Sequence, residues 1–161
     1  MGISENGESF GELIEHGGIY YKVPGANPKE ALTALIGFLP RQEAIQNETL
    51  LNAVLEREAL MSTSIGRGIA LPHPRNPAVS KSEDQFAALA FLEHPVDWNA
   101  LDGRPVDTLI LIVSASAKLH LHTLSKITFF CQQDAFLKLL KKRVPKEDII
   151  KFIKDTERDW K

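Results

Sequence analysis

The chain has 161 residues, with 19 basic and 21 acidic side chains and a formal net charge of -2. Hydrophobic residues make up 43% and charged residues 25%, which is typical of globular domains and excludes collagen-like, coiled-coil and disordered classes. The slight acidity and the lack of a long basic run exclude nucleic acid as the expected partner. No apolar run reaches the ~20 residues that a membrane span needs, so no membrane insertion is expected.

Cysteine usage and the N-terminal sequence indicate where the protein works. The single cysteine, Cys131, excludes an internal disulfide and a cysteine-based zinc site. No secretory signal is recognisable in the sequence. Together these features predict a soluble, cytoplasmic protein.

Helical and strand patterns alternate along the chain. Residues 1–8 are small and polar and are predicted to be a loose lead-in, so the domain should cover 9–158. Apolar spacing and capping signals such as Asn27 with Glu30 predict the remaining elements. These are a helix at 10–16, a strand at 19–23, helices at 28–38 and 47–59, strands at 86–92 and 108–113, and helices at 119–131, 135–142 and 147–155. This order predicts a single-domain α/β sandwich: a mixed sheet of about five strands with helices on both faces.

Segment 61–77 is predicted to be a shaped loop, because glycines and prolines interrupt it. It combines hydroxyls, glycines that can expose backbone N–H groups and an arginine, which together suit an anion. His73 stands between two prolines, which restrict the backbone that carries its ring. A fixed imidazole nitrogen can attack phosphorus, and phosphoryl transfer depends mainly on positioning and charge compensation. From spacing alone, a loop histidine bonded to backbone remains the alternative.

Nucleotide-binding motifs are missing from this glycine-containing loop. Leu71 occupies the third glycine position of a dinucleotide fingerprint, and no long strand precedes the loop. No Gly-Lys-Ser/Thr follows, which excludes a P-loop.

The segment Ser62–His73 closely resembles the active-site segment of enzyme IIA domains of the mannitol, fructose and nitrogen class of the bacterial phosphotransferase system. The similarity is supported by Arg57, by residues 101–107 and by residues 120–124, which follow in the family's order. It extends from about Phe10 to Asp155. The resemblance implies a phosphocarrier that needs neither metal nor cofactor. Its donor would be phospho-HPr or a nitrogen-branch relative, and its acceptor a IIB domain or a regulatory target.

The resemblance also implies roles for individual residues. His73 would accept the phosphoryl group, through Nε2, with Nδ1 held by a backbone carbonyl. His120 would be the second imidazole, and Arg57 would compensate the phosphate charge. A phosphate-supporting loop would comprise Ser62, Thr63, Gly66 and Gly68.

The sequence departs from the family after the active histidine, where glycine is common and this chain has Pro74. Proline removes an N–H that could hold phosphate. Arg75 is predicted to compensate by adding positive charge beside the site.

Two other readings stay open at this point. One is a non-enzymatic regulatory module that keeps the fold and binds partners according to the phosphorylation of His73. The other is a zinc hydrolase that uses His73, His120 and His122. Residues two apart on a helix diverge by ~200°, and no metalloprotease motif is present, so zinc is the least favoured reading.

Overall fold

Helices and strands alternate as the sequence predicts, with two additional short strands. The computed structural model describes residues 9–159, so the predicted lead-in at 1–8 lies outside the described residues. The strands are β1 (Ile19–Val23), β2 (Ser64–Gly66), β3 (Ile69–Ala70), β4 (Phe86–Val96) and β5 (Val106–Val113). The helices are α1 (Phe10–Gly17), α2 (Pro28–Phe38), α3 (Asn47–Leu60), α4 (Ala117–Cys131), α5 (Asp134–Lys142) and α6 (Lys146–Arg158), with a single 3-10 turn at Ser82–Asp84.

Side-chain caps set the beginnings of several helices. The Asn27 side chain accepts a hydrogen bond from the backbone N of Glu30 at 2.9 Å, and Pro28 opens α2. Ser116 caps α4 in the same way, accepting from the backbone N of Leu119 at 3.1 Å. Such caps satisfy N–H groups that have no partner within the helix. The Ser116 cap fixes where the first turn of α4 begins, and with it the position of His120 in that turn.

The five strands form one mixed sheet in the order β1-β4-β5-β3-β2. β4 and β5 pair antiparallel over their apolar lengths, with Leu89 opposite Ile110. β1 runs parallel to β4 and β3 runs parallel to β5, while β2 is antiparallel to β3. The predicted α/β class and five-stranded mixed sheet are confirmed.

Alternating side chains of the central strands build a separate core on each face of the sheet. On β4, Phe86, Ala88 and Ala90 face the core that α2 and α3 cover. Leu89 and Phe91 face the opposite core, which α1, α4, α5 and α6 cover. All five side chains are at most 1% exposed. Strands buried on both faces read as continuous apolar runs, which is why the sequence identifies β4 and β5.

Segment 61–77, predicted to be an irregular loop, contains the short hairpin of β2 and β3. Ser64 pairs with Ala70, and the turn between the strands has positive φ at Gly66, Arg67 and Gly68. Glycine tolerates such angles without steric cost. Strands of three and two residues are too short for a period-2 pattern to be recognisable, so the sequence reveals the turn residues and not the strands.

Candidate active site

His73 lies beyond the C-terminal end of β3, where the chain continues alongside β5. The backbone N of Ile112 donates to the carbonyl of Pro72 at 3.0 Å, which extends the β3–β5 pairing up to this histidine. Nδ1 of His73 lies 2.8 Å from the carbonyl oxygen of Leu71. A carbonyl oxygen only accepts, so Nδ1 carries the proton and the neutral ring has its lone pair on Nε2.

His120 faces His73 from the first turn of α4. Its backbone N donates to the carbonyl of Ser116 at 2.9 Å, so the capped helix start fixes its position. The two imidazole centroids are 4.6 Å apart, and the rings are tilted by 42°. Both side chains are half-buried. The structure thus brings together two of the predicted site residues from elements that are 47 positions apart in the sequence.

Arg57 lies near both rings, in the last turn of α3. Its Nη1 donates to the carbonyl of Met61 at 2.7 Å, just beyond the end of the helix. The guanidinium has five N–H donors, so this bond leaves others available to an anion. The positive charge of Arg57 lowers the pKa of both His73 and His120.

Burial and neighbouring charge keep both imidazoles neutral near pH 7. Burial is the main cause that lowers the pKa of His73, and Arg57 lowers it further. The hydrogen bond to Leu71 and the charge of Glu58 oppose this shift. Burial, then His73, then Arg57 lower the pKa of His120 to about 4. A neutral His73 with a free Nε2 lone pair is the form that can act as a nucleophile.

The two hydroxyl residues at the hairpin start are occupied by internal hydrogen bonds. Ser62 Oγ donates to the carbonyl of Trp98 at 2.5 Å. Thr63 Oγ1 donates to Oε1 of Glu58 at 2.7 Å, and the backbone N of Thr63 donates to Oε2 at 2.8 Å. Their described bonds therefore hold the hairpin in place. Sequence reasoning missed Glu58, because an acidic residue beside Arg57 near a helix end looks like an ordinary solvated charge.

Gly66 and Gly68 lie at the turn of the hairpin and away from His73. The carbonyl of Gly68 accepts hydrogen bonds from Asp107 and Thr108, at the beginning of β5, whereas His73 follows the residue that pairs with Ile112. Four residues, 69–72, lie between Gly68 and His73, and a fully extended chain covers about 16 Å over that stretch. A Cβ on Gly66 or Gly68 would meet the carboxylate of Asp102 or Asp107. In this structure both glycines serve the turn, and their predicted place in a phosphate-supporting loop stays a prediction.

The residue pair after His73 borders a cavity beside His120. Pro74 is buried and Arg75 is exposed, and both line a cavity of about 320 Å³ together with Ser114, His120 and Leu121. Arg75 thus lies near the second imidazole, and its predicted compensating role stays a prediction.

The remaining histidines lie in other surroundings. His122 is on α4, and burial followed by the charge of Lys126 lowers its pKa. His94 is exposed on β4, which continues beyond the predicted strand end at 92. His16 has Nδ1 at 3.2 Å from the carbonyl of Gln85. Within residues 9–159, no group of three His, Cys, Asp or Glu side chains could hold a metal ion.

Exposed apolar side chains follow Arg57 and His120 in the chain. Leu60 and Met61, which follow Arg57, are 59% and 71% exposed, and Leu121, which follows His120, is 63% exposed. Large apolar side chains that surround a polar centre are typical of protein interaction sites. Exposure depends on the tertiary arrangement, so the sequence does not identify these residues.

Comparisons with known proteins show the family of the chain. Residues 12–156 match the family model described as phosphoenolpyruvate-dependent sugar phosphotransferase system, EIIA 2. Over 119 residues the chain is 34% identical to the nitrogen regulatory protein of Pseudomonas aeruginosa, covering 72% of this chain and 75% of that protein.

Solved structures share the fold over most of the chain. The crystal structure of nitrogen regulatory protein IIA-Ntr from Neisseria meningitidis has a TM-score of 0.75 and 25% identity, covering 89% of this chain and 97% of that one. The complex of enzyme IIA mannitol with phosphorylated enzyme IIB mannitol from Escherichia coli has a TM-score of 0.67 and 17% identity, covering 85% and 94%.

The sequence match over most of the chain, together with the shared fold, defines the class of protein, a IIA domain. The chain belongs to the EIIA type 2 family of the phosphoenolpyruvate-dependent sugar phosphotransferase system, whose members are phosphotransfer components. The predicted family is confirmed. In the part of the chain that the structure describes, no helix is long and apolar enough to cross a membrane.

Proposed function

We propose that this chain is a histidine phosphocarrier that accepts a phosphoryl group on Nε2 of His73 from a phosphorylated HPr-type protein. It then passes the group to a IIB-type acceptor or uses it as a regulatory signal. The observation that carries this proposal is the hydrogen bond between Nδ1 of His73 and the carbonyl of Leu71, at 2.8 Å. That bond leaves the Nε2 lone pair available for attack on phosphorus.

The transfer exchanges one nitrogen–phosphorus bond for another. The Nε2 lone pair of His73 forms a bond to phosphorus as the bond to the donor's histidine nitrogen breaks and its electron pair returns to that ring. Nδ1 of His73 keeps its proton throughout, because it remains bonded to the carbonyl of Leu71. Arg57 and a donor N–H of His120 would compensate charge on the phosphoryl oxygens, which is the main requirement of such a reaction.

The proposed enzyme class is therefore a phosphotransferase that works without a metal or nucleotide of its own. Its donor would approach the side where Met61 and Leu121 are exposed, since a transferring protein must exclude water around the phosphoryl group. A related structure contains a IIA domain with a phosphorylated IIB partner, which supports a IIB-type acceptor here. Donors of this kind imply a cytoplasmic location.

Incubation with phosphoenolpyruvate, enzyme I and HPr, followed by intact-mass analysis, tests this function. We expect a gain of one phosphoryl group, and we expect His73→Ala to abolish it. His94→Ala is the matched control, because His94 is exposed on β4 and outside the site. No gain with HPr or its nitrogen-branch relative would reject the proposal.

A regulatory module is the second candidate, and the similarity to the nitrogen regulatory protein of Pseudomonas aeruginosa favours it. In that case the phosphorylation of His73 would change which partners bind, without onward transfer. Pull-downs that compare phosphorylated protein, unphosphorylated protein and His73→Ala distinguish the two. Partners that bind all three forms equally would contradict a phosphorylation switch.

A further inference from the structure

The Glu58 carboxylate makes a bidentate contact with Thr63, at the start of the β2–β3 hairpin that precedes His73. One carboxylate oxygen accepts the backbone N–H of Thr63 at 2.8 Å, and the other accepts its hydroxyl at 2.7 Å. Thr63 is only 7% exposed, so both bonds lie in a partly desolvated environment, where hydrogen bonds to a charged group are strong. The neighbouring Arg57 uses one N–H for the carbonyl of Met61 instead.

This contact continues through the backbone to the active ring. The carbonyl of Thr63 accepts the N–H of Leu71 at 3.0 Å. The carbonyl of Leu71 in turn accepts the proton of His73 Nδ1 at 2.8 Å. Three hydrogen bonds in series therefore link the Glu58 carboxylate to the imidazole. The N–H and the C=O of Thr63, like those of Leu71, belong to different peptide groups joined at Cα. The series therefore acts by position, because each bond fixes the backbone that makes the next one.

We propose that Glu58 is a positioning residue for the phosphoryl transfer: through Thr63 and Leu71 it holds the carbonyl that keeps the His73 proton on Nδ1. This inference rests on the proposed function and deepens it, because it explains how the chain selects Nε2 as the nucleophile. The Leu71 carbonyl lies in an extended segment between Ala70 and Pro72, and its orientation depends on the pairing of Leu71 with Thr63. Glu58 fixes that pairing from the end of α3.

The charge of Glu58 acts in the same sense as its geometry. Arg57 from α3 also acts on the ring, and His120 from α4 faces it at 4.6 Å between centroids. Arg57 disfavours a positive charge on His73, whereas Glu58 favours it and raises the pKa of the ring. Hydrogen bonds to the charged carboxylate are also stronger than those a neutral amide would make, so the charge tightens the hold on Thr63. Loss of that charge should loosen the Leu71 carbonyl and leave the Nδ1–H and Nε2–H tautomers more nearly equal.

Glu58→Gln tests the inference, since the side chain keeps its size but replaces one acceptor oxygen by a donor NH₂. Glu56→Gln is the matched control, because Glu56 is exposed on the same helix. The conservative variant Thr63→Ser keeps both the N–H and the O–H. Thr63→Val keeps the N–H bond and removes only the hydroxyl bond, so it provides a milder break if Glu58→Gln does not fold.

The first measurement is the tautomer of the His73 ring in unphosphorylated protein, from long-range ¹H–¹⁵N spectra. We expect Nδ1–H to predominate in the wild type, in Glu56→Gln and in Thr63→Ser. We expect its fraction to fall in Glu58→Gln and, by less, in Thr63→Val. The second measurement is phosphoryl uptake from phospho-HPr at varied donor concentration. For Glu58→Gln we expect a maximal rate about 10-fold lower, with the half-saturating donor concentration unchanged, because orientation and not docking is lost.

These two measurements separate the inference from the proposed function. The ring spectrum needs no donor, so an unaltered tautomer in both Glu58→Gln and Thr63→Val would overturn the role of Glu58. Normal uptake by Glu58→Gln would overturn it equally. If the wild type takes up no phosphoryl group while the spectra change as expected, the proposed function fails and the positioning of the ring by Glu58 stands.

Discussion

The two imidazoles of the site are held in different ways, although their centroids are only 4.6 Å apart. His73 has a hydrogen bond from its ring to the Leu71 carbonyl, and the buried Pro72 and Pro74 restrict its backbone on both sides. His120 is fixed through its backbone at the start of α4, and no residue between 9 and 159 holds its ring by a hydrogen bond. A hydrogen bond therefore restrains the His73 ring, and no such bond restrains the His120 ring.

This difference suits two different tasks. A nucleophile must present one nitrogen in line with phosphorus, which favours a fixed ring. A group that stabilises the transferred phosphoryl must respond when negative charge arrives, which favours a ring that can turn. Burial, then His73, then the positive charge of Arg57 lower the pKa of His120 to about 4 before any phosphate is present. A phosphoryl group on His73 would bring negative charge close to His120 and so raise the pKa of His120.

Removal of each ring should have the largest effects and should separate the two tasks. We expect His73→Ala to abolish phosphoryl uptake, since no other group replaces the nucleophile. We expect His120→Ala to slow it by about 10- to 100-fold, the range typical of one lost proton donor or charge-stabilising group. Rapid-quench measurement of ³²P transfer from phospho-HPr checks both. Equal loss in the two variants would contradict the division of tasks.

Substitution of Arg57 should have the next largest effect on phosphoryl uptake, because its charge acts on both imidazoles. We expect Arg57→Ala to slow uptake by roughly 10-fold or more, as loss of one stabilising charge does. Arg57→Lys should recover only part of this, because lysine keeps the charge and loses the planar fork. The same ³²P assay measures the series. Full recovery by lysine would show that only the charge matters.

The titration of His120 should make a smaller contribution, to the pH dependence of the free energy of unfolding. The folded pKa of His120 lies below its unfolded value near 6.5, so its contribution is present above pH 6.5 and is lost as the pH falls towards 4. The ring is partly solvated, so we expect a loss of about 1 kcal/mol at most. Thermal unfolding at pH 7 and pH 5 should therefore differ less in His120→Gln than in the wild type. An unchanged difference would contradict the assignment.

A substitution in the turn between β2 and β3 should have the smallest effect on phosphoryl uptake, because this turn lies at the other end of the segment from His73. Gly68 has φ of 80°, and a Cβ there would lie 3.2 Å from Oδ1 of Asp107. We expect Gly68→Ala to destabilise the fold by about 1 kcal/mol or somewhat more, with uptake per folded molecule within about twofold of the wild type. Denaturant unfolding measures the loss of stability, and the ³²P assay measures the uptake. A large specific loss of uptake would restore Gly68 to the phosphate-supporting loop.

The sequence predicts most of the fold because local signals and burial agree. Asn27 and Pro28 mark the start of α2, and the apolar runs of β4 and β5 are typical of buried strands. The β2–β3 hairpin escapes prediction because the two strands contain five residues in all and depend on pairing with β5. Its stability comes from tertiary contacts that local propensity does not record.

A site residue can be predicted when the sequence around it forms a recognisable motif. It cannot be predicted when its role depends on a residue that only the fold brings close. His73 is identifiable from its flanking prolines and from the family resemblance, and the structure brings His120 and Arg57 to it. Glu58 has no distinctive pattern, since its role depends on the position of Thr63 beyond the end of α3. The exposure of Leu121 likewise depends on how α4 sits on the sheet.

The central claim is that Nε2 of His73 is the atom that carries the phosphoryl group. Uniformly ¹⁵N-labelled protein, phosphorylated by phosphoenolpyruvate, enzyme I and HPr, gives long-range ¹H–¹⁵N spectra that identify the modified ring nitrogen. We predict that the phosphorus-coupled nitrogen is Nε2 of residue 73, with Nδ1 still protonated. A phosphorylated Nδ1, or a phosphoryl group on any other residue, would contradict the account.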